Sequence, residues 1–411
     1  MIAPSARRRL RAAWLAGALL VVPAAANAAA TTFVDLEAGA GFSTNPFLQF
    51  NSKSAAFGRI SASGQHSWST ERSTTTLRGY VEDTTYLRDY GSKQLFDVGA
   101  HHLFKASPTL TLSGDVDFTG DFAGQLSNRL YYVPNQPVVP VPGDPLPPTI
   151  SNPDLFGLNT RQYRLSGRLG AAIQAGARGS VSLSAGAQRT WFTGGLSDLN
   201  YSSFDASIGY SQQISERTNV GGSLSYQHQQ YVHGHSDVIN PALTAHTQLA
   251  EDMTADASIG ALIIRQDSFG VSDTSVSPSF SGSLCKLSTN TSFCASVART
   301  AQSTLNSRIA NGSGRASVNT TGSLTYFRKL TAKDTLQAAL SATRYSSSGF
   351  NNGGRLSTTY VSGVVGYDRK IGDRLATGVS GGVRKLFQVG PDPDLDLNAS
   401  VYLRYRLGDL L

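Results

Sequence analysis

The stretch QHQQYVHGHSD brings together His228, His233 and His235. Histidines this dense invite a metal site. A His-x-His pair without a third ligand at diagnostic spacing, and without an H-E-x-x-H pattern, reads better as a solvated polar loop. Cys285 and Cys294 flank KLSTNTSF, with no C-x-x-C redox or zinc spacing. Two cysteines across one short turn of an exported chain are expected to form a structural disulfide. The loop they close is short, so its stabilisation should stay below the ~3 kcal/mol of a fifteen-residue loop. Acyl transfer would need a nucleophile elbow, and no G-x-S-x-G sits between a strand and a helix. No catalytic residue, metal ligand set or cofactor is assigned, and the chain is not expected to be an enzyme. Arginine is the chemistry that remains, because its planar fork binds carboxylates and phosphates.

The elements that must position those arginines are strands. In LDLNASVYLRYRL, residues 395–407, apolar Leu395, Leu397, Ala399, Val401, Leu403, Tyr405 and Leu407 alternate with Asp396, Asn398, Ser400, Tyr402, Arg404 and Arg406. Successive side chains of an extended chain point to opposite faces, so one face is oily and the other wet. The same alternation recurs in TLTLSGDVDF, YRLSGRLGAAI and TLQAALSA. Short connections such as 69–73, 175–179 and 331–334 alternate with generally longer ones at 43–53, 125–159, 233–240, 268–273 and 388–394. The pattern predicts an all-β fold: a closed, antiparallel, up-and-down transmembrane β-barrel of about 18 strands, with short periplasmic turns and long extracellular loops. In lipid every backbone polar group must be paired within the protein, so the first strand (31–42) is expected to pair with the last (395–407).

The N-terminus fits export. Arg7, Arg8, Arg9 and Arg11 precede an apolar run from Ala12 to Val22, then Pro23 and small residues, the pattern of a secretory signal peptide over 1–28. Residues 29–411 then form the barrel, localised in the cell outer membrane. No later apolar run is long enough for a spanning helix. Apart from the leader arginines the charge is nearly balanced, and no dense basic tract suggests nucleic acid as a partner. The Pro-rich stretch 125–159 reads as a long surface loop that could fold inward as a constriction.

If alternation holds, Arg59, Arg78, Arg164, Arg168, Arg384, Arg404 and Arg406 face the lumen, together with Asp115 and Asp117. Five of these arginines would line one wall. They either offer that wall to an anionic solute or pair with lumen acids. Asp35 and Glu37 share a face of the first strand and are expected near Arg404 and Arg406, fixing the register of the barrel seam. Aromatic belts are expected from Trp68, Phe104, Phe293, Phe327 and Tyr405 at the short-turn ends. Tyr90, Trp191, Tyr231, Tyr345 and Tyr360 would form the belt at the loop ends.

LEAGAGFSTNPF, residues 36–47, resembles the first strand and loop of the bacterial outer-membrane β-barrel porin-2 type, as does the closing VYLRYRL. Members of that group accompany exopolysaccharide or capsule assembly. The resemblance therefore implies a passive conduit in exopolysaccharide secretion, with the polymer and its periplasmic export machinery as partners. The barrel-insertion machinery and outer-membrane lipid are the other implied partners. Many such barrels end on Phe or Trp; this chain ends Gly408–Asp409–Leu410–Leu411. Two alternatives accompany the conduit: a general diffusion porin for small solutes, anionic ones included, and a plugged barrel serving surface structure or binding.

Overall fold

The computed structural model describes residues 29–87, 90–122, 160–194, 197–268, 270–305, 314–347, 356–388 and 392–408. Residues 1–28, expected to be a signal peptide, and the Pro-rich stretch 125–159 lie outside the described residues, so neither that expectation nor the inward fold expected of the latter has a structural account. The alternating segments form β1 (Ala29–Ser43), β2 (Ala55–Ser69), β3 (Ser73–Tyr86), β4 (Ser92–Ser107), β5 (Leu110–Phe122), β6 (Arg161–Ala175), β7 (Gly179–Phe192), β8 (Tyr201–Ser215) and β9 (Thr218–Tyr231). They continue as β10 (Gly234–Ala250), β11 (Met253–Ser268), β12 (Val271–Leu287), β13 (Thr291–Leu305), β14 (Gly314–Lys329), β15 (Asp334–Ser347), β16 (Leu356–Lys370), β17 (Leu375–Phe387) and β18 (Asp396–Gly408).

Each strand pairs antiparallel with its sequence neighbours, and β1 pairs with both β2 and β18. The sheet is thus an 18-stranded closed barrel. Closure removes the free edges that an open sheet would expose. The seam runs from Phe33↔Gly408 to Ser43↔Asn398. Ladder irregularities fall beside short turns, at Lys105/Ser107, Gln213/Ser215 and Gln248/Ala250.

Two expected long loops are not loops. Residues 234–240 belong to β10 and 271–273 to β12, leaving tight reversals at 232–233 and around Gly270. Gly270 takes φ +77°, a conformation glycine adopts without penalty. The histidines move with this change: His228 and His235 sit in strands, and His228 Nδ1 lies 2.8 Å from an Asp237 carboxylate oxygen. The described residues hold no cluster of three metal-ligating side chains.

The first loop departs most from a plain surface turn. After Ser43 the chain turns inward, and Phe47 and Leu48 end 1% and 2% exposed. Phe47 packs on Tyr86 and Tyr90, with the Lys93 ammonium 5.6 Å from its ring centre. Leu48 packs with Tyr360 and Leu386. Leu48 and Asn51 hold positive φ (48° and 57°). The strain at Leu48 is offset by its burial against Tyr360 and Leu386, whereas exposed Asn51 is a residue type that tolerates this region.

The candidate functional site is the lumen

Alternation decides which residues meet in the lumen. Along the outer surface Leu165, Leu169, Leu243, Ile259, Val379 and Val401 are exposed, while the intervening positions of the same strands carry the charged and hydroxyl side chains. All seven arginines named from the sequence fall on the inner face. Arg384, Arg404, Arg406, Arg59 and Arg78 come from the contiguous strands β17, β18, β2 and β3, with β1 between them.

That wall is a stack of paired charges. Nearest the short turns, Arg406 grips Asp35 through two bonds of 2.7 and 2.6 Å and lies 4.3 Å over the Phe33 ring. One tier up, Glu37 stands opposite Arg404 in register but takes Arg59 at 2.5 Å. Arg404 instead reaches Asp368 at 3.5 Å, a carboxylate that also accepts from Tyr402 and from Gln337. At the loop end Arg384 donates to Asp396 through Nε at 2.7 Å. Asp396 also accepts from Ser43 Oγ and from the Asn45 backbone N–H, at 2.6 and 2.9 Å. A second guanidinium nitrogen of Arg384 donates to the Pro46 carbonyl. The inturned first loop is therefore tied to the lumen wall by one buried ion pair. Asn45 adds clamps to the Asp394 and Gln49 carbonyls, and Tyr90 bonds Lys53 from the facing loop.

The neighbouring stretch, β3 to β8, leaves its arginine pairs in the open, although Glu82 and Lys93 are buried near its loop end. Arg78 donates to Asp117 at 2.5 Å with 59% of its side chain exposed, and Arg168 to Asp205 at 2.8 Å with 54% exposed. His101 meets Asp115 at 2.6 Å. Arg164 forms no ion pair among the described residues. His101 and Asp115 are directly opposite on β4 and β5, whereas the partners of Arg78 and Arg168 are two strands away, with a glycine between that makes room. Arg78, Gly99 and Asp117 form one register row, and Arg168, Gly186 and Asp205 another. A Cβ at Gly186 would sit 2.7 Å from an Asp205 carboxylate oxygen. The row Asp368, Gly378, Tyr402 repeats the device on the seam side. Sequence reading missed Asp205, Asp368, Asp396 and Tyr402. For Asp205, Asp368 and Tyr402 the signal is a glycine standing between complementary side chains, whereas Asp396 lies directly opposite Arg384 on the adjacent strand. Both arrangements appear only once register is known.

Cys285 and Cys294 are opposite one another on β12 and β13 and are disulfide-bonded, on the inner face. The aromatic belts need correction. Trp68, Phe104, Phe293 and Tyr405 face outward, but Phe327 pairs with buried Ser292 on the inner face. At the loop ends Tyr231, Tyr345 and Tyr360 are buried inside, and Tyr90 packs in the mouth. Only Trp191 of that set lies outside, in a row with Tyr163 and Phe118. The inward tyrosines have apolar partners there, such as Leu48 against Tyr360, that a water-filled mouth would not supply.

No family model matches the sequence, and no curated protein matches it. Solved structures similar to it in outline include Acinetobacter baumannii OccAB2, 7% identical over 92% of this chain and 98% of that one, TM-score 0.46. Pseudomonas aeruginosa OccK2 (OpdF), solved in complex with glucuronate, is 11% identical over 92% and 98%, TM-score 0.46. The ferric citrate transporter FecA is 11% identical over 86% of this chain, which spans 60% of FecA's length, TM-score 0.45. These likenesses are loose, and the architecture rests on the chain's own strand pairing rather than on them.

Proposed function

We propose that the chain is an outer-membrane channel through which small polar solutes diffuse passively. The division of the sheet carries this reading: large apolar side chains cover the outside, and charged groups on β3–β8 stand open to the inside. So extended an apolar exterior is costly in water and suited to acyl chains. The short turns would then face the periplasm and the loops the exterior, with outer-membrane lipid and the barrel-insertion machinery as partners. Most lumen arginines already hold an acid, which favours weak charge selectivity. Arg164 is the cation best placed to meet an anionic solute.

The polysaccharide conduit implied by residues 36–47 gains no further support. The loop that carries the motif turns into the mouth and narrows it, which suits small solutes better than a polymer. The purified protein in planar bilayers should show steady, near-ohmic conductance. A barrel that inserts but passes no current would contradict the channel and favour a plugged one.

A further inference from the structure

The barrel wall is split along part of its height. β12 and β13 pair only from Leu287↔Ser292 up to Phe280↔Arg299, although β12 runs on to Val271 and β13 to Leu305. Above that point β12 keeps β11 as its partner, and β13 keeps β14. Pro278 supplies a local reason. Its carbonyl oxygen accepts from Arg299 Nε at 3.2 Å, so that edge of the Pro278 backbone faces β13, and proline has no N–H to offer there. Arg299 also donates to Ser277 Oγ at 3.0 Å and to Thr320 Oγ1 at 3.4 Å. A guanidinium, not a ladder, closes the fork.

Beyond the fork the two sides overlap. Ala301 of β13 and Val318 of β14, outward by alternation, pack against Val238, Leu262 and Ile264, which point inward from β10 and β11. The upper β13–β14 hairpin therefore laps behind the neighbouring wall. The split starts at lipid depth, because Val276 lies above it, opposite Ile263, and exposes 71% of its surface. Unpaired strand edges at that depth are tolerated only where they are buried in protein or water reaches them. Arg299 has no carboxylate partner among the described residues.

We propose that this lap is a lateral portal for a single-chain anionic amphiphile, its alkyl chain passing between lumen and outer leaflet and its head group meeting Arg299. The proposal rests on the outer-membrane channel reading. Just below the fork, Gly282, Ala295 and Gly322 floor an outward groove of about 580 Å³ that continues the path along the bilayer.

The test places single cysteines in the full barrel in liposomes; the native pair is bonded and silent under non-reducing conditions. Ile264→Cys lies in the lap, Ile263→Cys on the lipid face and Ser380→Cys in the lumen away from the split. N-dodecylmaleimide, concentrated in the bilayer, should label Ile264→Cys roughly tenfold or more faster than Ser380→Cys, approaching Ile263→Cys. Dodecanoate should slow that labelling, and Arg299→Gln should abolish the protection. Val238→Cys serves as a second reporter should the Ile264 variant not fold. Labelling of the lap no faster than of Ser380→Cys overturns the portal, and absence of dodecanoate protection overturns the anionic amphiphile. Conductance of the same variants separates the readings: current without lap labelling removes only the portal, and no current removes the channel.

Discussion

The seam wall, β16–β18 with β1 and β2, and the wall of β3–β8 use the same arginine–carboxylate chemistry under different cover. Asp35 and Arg406 are 5% and 3% exposed in their side chains, whereas Arg78 and Arg168 are more than half exposed. Burial turns an ion pair into a structural commitment, since removing one partner leaves a charge without water or counterion. Exposure leaves the pair nearly neutral for stability but available to passing ions. The seam wall thus holds the barrel and its inturned loop, and in the proposed channel the open wall would set what the lumen offers to solutes.

The largest effect is expected at Asp396, which serves Arg384, Ser43 and Asn45 together. Asp396→Ala should cost about 3–5 kcal/mol in urea unfolding, as for a broken buried pair. It should also raise single-channel conductance as the loop comes free. Asp35→Ala should cost about 3 kcal/mol without changing conductance, because it loosens the seam far from the mouth. Replacing Cys285 and Cys294 by Ser should cost about 2 kcal/mol, seen as a lower unfolding midpoint that reduction of the parent reproduces. The smallest stability effect belongs to the open wall: Arg168→Gln should cost under ~1 kcal/mol. Together with Arg164→Gln it should shift the reversal potential in a salt gradient toward cations. Equal stability losses at Asp35 and Arg168 would erase the distinction between the walls.

Much of this was legible because strand alternation is a local signal. The strand number, the closure and the juxtaposition of Asp35 with Arg406 need only a period of two and an antiparallel seam. The inturned loop is harder, since it depends on apolar Phe47 and Leu48 finding partners on β3, β16 and β17. The sequence offers three large apolar residues in that connection, Phe47, Leu48 and Phe50, and nothing local marks that the first two are buried while Phe50 stays exposed. The run Ala261–Leu262–Ile263–Ile264 breaks alternation, and the structure shows why: Ile263 faces outward while Leu262 and Ile264 are covered by the lapped hairpin. Ion pairs two strands apart remain invisible until register is fixed, because nothing in the chain marks which glycine will stand between them.

The central claim is water inside and lipid outside one sheet, and β18 tests it most directly. In proteoliposomes a charged, membrane-impermeant maleimide should label Ser400→Cys readily and Val401→Cys scarcely at all. Equal labelling of the two would contradict the lipid-facing exterior. Failure of both to label, in a barrel shown to be inserted, would contradict the open aqueous lumen.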